Sequence, residues 1–118
     1  MLTNAEVTRL LDVANAGINK GQIALARTVY EGILAGHPDH APTLISLALS
    51  HIAVSDFERA DEILRDKVLA ANPDDADELV YLGLSAKLAG RADEAAEILG
   101  RVPAGTTAGE LAARLLEG

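Results

Sequence analysis

The residues best able to bind a metal or move a proton are His37, His40 and His51. The turn His37-Pro38-Asp39-His40 sets two imidazoles and a carboxylate close together in sequence. Zinc takes such ligands, but four well-placed ones are expected, and a turn of solvated histidines accounts for the motif. With no cysteine in the chain, thiolate metal and redox sites and a disulfide framework are excluded. His51 falls at an inward position of a helical stretch, where a packing role with a satisfied ring nitrogen is expected. Ser46, Ser50, Ser55 and Ser85 have neither a nucleophile motif around them nor a base beside them. Two acidic groups, Asp56-Glu58-Asp61-Glu62 and Asp74-Asp75-Asp77-Glu78, stand at helix starts, where capping and the helix dipole explain them. No glycine-rich phosphate loop follows a strand, because no segment reads as one. The sequence therefore predicts no catalytic residue, no metal and no cofactor; an enzyme is the least favoured class, and function is expected from a surface.

The elements that build such a surface are clearest over residues 73–102. Pro73, Asp74 and Asp75 open a helix, since proline cannot continue an earlier one and aspartate caps free N–H groups. Leu79, Leu82, Gly83 and Ala86 then recur at helical spacing, and Gly90 closes the helix. A second helix over 91–101 starts with acidic residues and presents Ala95 and Leu99 back to the first. The pattern recurs upstream as Leu44, Leu47-Ala48, His51, Ala60 and Leu64, and again as Leu10, Val13-Ala14, Gly17, Ala26 and Tyr30. Ala26, Ala60 and Ala95 hold one position; Tyr30, Leu64 and Leu99 hold another. The step between the second and third copies is one residue longer, which places an extra residue around Lys67 to Ala71.

These positions resemble the tetratricopeptide repeat (TPR), two antiparallel helices in about 34 residues. The small residues have a packing reason, since helix axes approach closely only where side chains are small. The family often has Trp where Leu79 stands and Tyr where Ala86 stands. The resemblance implies an all-α fold: a right-handed superhelical array of three helix pairs (repeats 7–40, 41–75 and 76–106) plus a C-terminal capping helix, 107–117, in one domain.

The remaining signals agree with an array. Thr3-Asn4-Ala5-Glu6, Ser55-Asp56-Phe57-Glu58 and Thr107-Ala108-Gly109-Glu110 read as capping boxes. Helices are expected over 4–19, 22–35, 41–54, 55–71 and 108–117, with Pro42 in a first turn where its missing N–H costs little. Hydrophobic residues make up 49% of the chain but aromatics only 3%, so the core must be aliphatic and stacking of neighbours must supply it. The formal charge of −8 opposes nucleic acid or an anionic membrane as main partner. The start lacks the layout of a signal peptide, and no apolar run suffices for a membrane span, so a soluble cytoplasmic protein is expected.

Two helices carry a second apolar stripe beside the one that pairs them. Ile45, Leu49, Ile52 and Ala53 form it in one; Val80, Tyr81, Leu84 and Leu88 form it in the other. Leu11 and Ile18 hold equivalent places in the first helix, diluted by Asp12, Asn15 and Asn19. In the TPR family such stripes line the concave ligand groove. The resemblance therefore puts Leu11, Asn15, Ile18, Ile45, Leu49, Ile52, Val80, Tyr81, Leu84 and Leu88 in a partner-binding groove. Left wet, each large apolar side chain forgoes roughly 1.5–3 kcal/mol, so such a patch marks an interaction site. Two other readings are that the last helix folds back into the groove, or that superhelical curvature buries the stripe. Only Asn15 matches the family's carboxylate clamp, so an amphipathic or apolar helix is the expected partner. Size, acidity and three repeats resemble the small TPR chaperones of type III secretion, which implies a chaperone holding an aggregation-prone helix. A general adaptor, or a homodimer whose groove is filled by its own copy, is the alternative.

Overall fold

The computed structural model describes residues 2–117, and among them every regular element is helical. α1 (Asn4–Asn19) pairs with α2 (Ile23–Gly36), α3 (Ala41–Ala53) with α4 (Phe57–Ile63), and α5 (Ala76–Leu88) with α6 (Ala92–Gly100). α7 (Thr107–Glu117) packs on α5 and α6 and, among the described residues, on no other helix. The first helices of the pairs stand side by side, α1 against α3 and α3 against α5, while α2 touches α3 and α4 touches α5. The result is an all-α superhelical array of three pairs and a terminal helix. α4 runs on as a π-helix, Leu64–Leu69. A π turn holds one residue more than an α turn, so the extra residue of the second repeat is taken up here, slightly upstream of the expected place.

Helix starts follow side-chain chemistry. Thr3 N–H donates to Glu6 Oε1 at 3.1 Å and Glu6 N–H to Thr3 Oγ1 at 3.2 Å, the complete capping box. The backbone bond, then the side-chain bond, hold the Glu6 carboxyl below its ordinary pKa. The other two expected boxes are displaced by one residue. Asp56, not Ser55, caps α4, accepting from Arg59 N–H at 3.4 Å. Ser55 closes the preceding turn at φ 63, as Gly21 (φ 80) and Gly90 (φ 84) do in the other pairs. A left-handed turn residue cannot adopt the extended backbone of an N-cap. At α7, Thr106 Oγ1 accepts from Gly109 N–H at 2.9 Å, and the helix begins at Thr107.

Packing confirms the register of the second helices. Ala26, Ala60 and Ala95 are buried, as are Tyr30, Leu64 and Leu99. A Cβ on Gly83 would lie 2.4 Å from Leu99 Cδ2, so α5 and α6 meet where only hydrogen fits. In α1 the expected inner face holds at Ala14 but not at Leu10 and Val13. Leu10 and Val13 are 38% and 71% exposed, while Val7, Leu11 and Ala14 pack on Ala26, Tyr30 and Ile33. The places of Leu10 and Val13 correspond to those of Leu44 and Leu47, which sit beside the second helix of the preceding pair. Among the described residues the first pair has no such neighbour. Leu47 packs against both the small cluster of the first pair and the larger one spanning the rest of the array.

Candidate functional site

The residues with chemical potential are held apart or used internally. His37 Nε2 lies 3.3 Å from the Leu2 carbonyl and His40 Nδ1 2.7 Å from Thr43 Oγ1; their ring centres are 6.5 Å apart. Among the described residues no three His, Asp or Glu side chains converge as a metal site would require. His51 is partly buried, with Nδ1 3.5 Å from an Asp56 carboxylate oxygen and without the hydrogen bond expected of it. Burial, and after it the charge of Arg27, lower the His51 pKa, and Asp56 opposes them.

Ser50 and Ser85 serve as joints between repeats. Arg27 of α2 donates from Nε to Ser50 Oγ at 3.0 Å and from Nη2 to the Ser50 carbonyl at 3.1 Å. One repeat on, Ser85 donates to Asp61 of α4 at 2.8 Å, and Arg91 Nη2 donates to the other Asp61 oxygen at 2.6 Å. Arg91 also pairs with Glu94, which pairs in turn with Arg65. The hydrogen bond to Asp61 first, and with it the bond to Glu94 and the charges of both carboxylates, raise the Arg91 pKa against the effect of burial. Both serines are fully buried. Their shared place in the repeat was a signal for this role; the differing partners, arginine then aspartate, concealed it.

The second apolar stripe lies along α1, α3 and α5, and its members fare differently. Leu11 and Val80 are buried in the two core clusters. Ile45, Ile52 and Tyr81 are partly buried against the larger cluster, and Ile18 against the smaller. Leu84 is partly buried and Leu88, at the end of α5, is exposed. Asn15, Ile18 and Leu49 come together with Ser46 around a hollow of about 320 Å³ between α1 and α3. The hydroxyl of the fully buried Tyr30 donates to Asn15 Oδ1 at 2.5 Å. That bond orients the carboxamide and leaves its N–H₂ group available to an acceptor. Burial raises the Tyr30 pKa, which keeps this donor protonated. In the third repeat Lys87 holds the place of Ile18 and Ile52, and its ammonium donates to the Leu115 carbonyl near the end of α7. Nothing in the sequence pattern marks Lys87 for this role. A larger hollow, about 510 Å³, opens elsewhere and is walled by Arg27, Glu31, Arg59, Glu62, Asp66 and Lys67 around Leu47, His51 and Ile63. Its mixed charges give no preference for an apolar ligand.

Among solved structures the chain is similar to one described as MamA MSR-1 C2, a TPR-containing protein, with a TM-score of 0.64 and 25% sequence identity. The fold is TPR-like. The match covers 86% of this chain but 59% of that one, so this chain corresponds to a part of its neighbour's length. No family model matches the sequence, and no curated protein matches it. Within a TPR-like array α1, α3 and α5 are the first helices of the repeats, so the hollow around Asn15 and Leu49 lies on the face these helices share. No helix here is long and apolar enough to cross a membrane among the described residues.

Proposed function

We propose that this chain is a non-enzymatic protein-binding module whose ligand is an apolar or amphipathic helix laid along α1, α3 and α5. The observation that supports it is the hollow between α1 and α3. Ile18 and Leu49 give it apolar walls, Asn15 offers oriented donors, and α7 packs away from it on the third pair. Partly exposed aliphatic side chains gain about 25 cal/mol per Å² when a partner covers them. The ligand would run from this hollow past Ile45 and Ile52 toward Tyr81, Leu84 and Leu88.

The narrower form of the reading is a cytoplasmic chaperone that shields a helix of a type III secretion subunit. The acidity and the apolar face support it; a general adaptor uses the same face. The exposed Leu10 and Val13 favour a second arrangement, in which the face of α1 that carries them meets another copy.

The test is co-purification from the native cell with parent, Leu49→Asp and Leu84→Asp baits, each first checked by thermal melting. Both variants should melt near the parent, because these side chains are only partly buried, and both should lose the partner. An unpaired carboxylate pressed against an apolar ligand costs several kcal/mol. Leu82→Asp, at a position 1% exposed, should unfold the chain. Folded Leu49→Asp and Leu84→Asp variants that retain the partner would move the ligand to another face.

A further inference from the structure

A different site is marked by Glu78. It lies in the first turn of α5, three residues after the N-cap Asp75. That spacing is a capping box, in which the glutamate would turn back to the Asp75 N–H. The Asp75 N–H is instead given to the Asn72 carbonyl at 3.1 Å. The cap is completed by Asp75 itself, whose Oδ1 accepts from Asp77 N–H at 3.1 Å and Glu78 N–H at 3.3 Å. The Glu78 carboxylate therefore takes no part in capping. It is 6% exposed, and Oε2 has no hydrogen-bond partner. The α5 dipole offsets some of the cost of a negative charge there. An unpaired buried carboxylate is otherwise expensive, and removing it from water is recovered only by a counter-charge or donors.

Glu78 lines a hollow of about 350 Å³ where the starts of α3 and α5 meet the end of the π-helix. Asp39 and Asp75 join it there, against one cation, Lys67. Among the described residues no ion pair joins Lys67 to any of the three. Leu44 and Val68 supply apolar wall. The space far exceeds the ~15 Å³ that a single water needs. The carboxylates do not converge as metal ligands do, so the charge distribution suits an extended organic cation better than an ion. We propose that this hollow binds an alkyl-guanidinium or alkyl-ammonium group, the arginine or lysine side chain of a bound polypeptide. Glu78 is its buried counter-charge, Asp39 and Asp75 add negative potential, and Leu44 and Val68 flank the stem. The site shares no lining residue with the hollow between α1 and α3, so it stands or falls separately from the proposed groove.

The probe is Nα-acetyl-arginine methylamide, titrated into the isotope-labelled full chain and followed by amide chemical shifts. Saturable shifts are expected at Leu44, Val68 and Glu78, and none from the uncharged citrulline counterpart. Glu78→Gln, which keeps the side-chain shape, should weaken binding about tenfold or more by removing a desolvated charge partner. Asp39→Asn, on an exposed turn, should weaken it about two- to fivefold, and carries the test should Glu78→Gln fail to fold. Absence of saturation, equal response to citrulline, or unchanged affinity in a folded Glu78→Gln or Asp39→Asn variant overturns the site. Tighter binding of putrescine than of the blocked arginine and lysine would overturn the polypeptide source and assign the hollow to a free diamine.

Discussion

Gly83→Ala tests how closely α5 and α6 are fitted. A methyl at residue 83 would sit 2.4 Å from Leu99 Cδ2, 2.6 Å from Cγ and 3.4 Å from Cδ1. Cδ2 could rotate away, but Cγ moves only with the whole side chain, and Leu99 is 2% exposed in a packed cluster. Overpacking of this kind costs about 1–3 kcal/mol. Replacing a mid-helix glycine by alanine returns about 0.8–1 kcal/mol, so the net loss is about 0–2 kcal/mol. Gly32→Ala separates the two terms: Gly32 is within α2, exposed, and its added Cβ meets nothing within 4 Å. It should stabilise by about 0.8–1 kcal/mol, leaving the two variants about 1–3 kcal/mol apart. Leu99→Ala alone should cost about 2–5 kcal/mol through the cavity it opens. In the double variant the new methyl enters that cavity, so the combined loss should fall short of the sum by about 1–2 kcal/mol. Urea unfolding followed by helical circular dichroism reads the four variants against the parent. If Gly83→Ala stabilises as much as Gly32→Ala, the contact with Leu99 does not constrain the pair and the reasoning fails.

Ser55→Gly should raise stability by up to about 1 kcal/mol, because it removes about 1–2 kcal/mol of left-handed strain and adds glycine's backbone entropy; a lower melting temperature would show that the serine side chain holds the turn. His51 has a lowered pKa in the fold, so the unfolded chain binds a proton that the native state resists. Stability should therefore fall as pH drops through about 6.5 and level off below the folded pKa. His51→Gln should flatten that limb of the urea midpoint against pH, and parallel curves for parent and variant would refute the assignment. Asp61→Asn should destabilise the array by about 1–3 kcal/mol, since it weakens the bonds to both Ser85 and Arg91; a variant within error of the parent would mean the joint is held by apolar contact alone. Sedimentation across a wide concentration range should show association that Val13→Lys abolishes; a monomer throughout would exclude the Leu10 and Val13 face as a contact between copies.

The parts of the fold legible in the sequence are those under the tightest steric constraint. Ala26, Ala60 and Ala95 recur because a larger side chain would separate paired helices, and so they set the register of the second helices. The inner face of α1 was harder to read. Repeat spacing transfers positions from one unit to the next, but among the described residues no helix covers Leu10 and Val13 as the first pair covers Leu47. Burial of Leu11 and Val80 is hard to read from spacing for a related reason: one helix face shades from seam to groove, and only packing draws the line between them. By its type Ser55 reads as a cap, whereas its place in line with Gly21 and Gly90 marks it as a turn residue. Glu78 looked like an ordinary helix-start acid. Nothing in its spacing indicates that its N–H partner is already bonded to Asn72.

The π-helix at Leu64–Leu69 bears on how such a chain can change length. In an uninterrupted α-helix one inserted residue turns everything after it by about 100°, which would present the wrong face of α5 to α4. Widening a turn over six residues confines the slip, so Ala95 meets its helix pair just as Ala60 does, one residue later in the count. The second repeat thus works like a splice with slack in it. A length change made there is absorbed locally and need not be matched by compensating changes in the third repeat, whereas the same edit in α5 would have to be answered along the whole seam with α6.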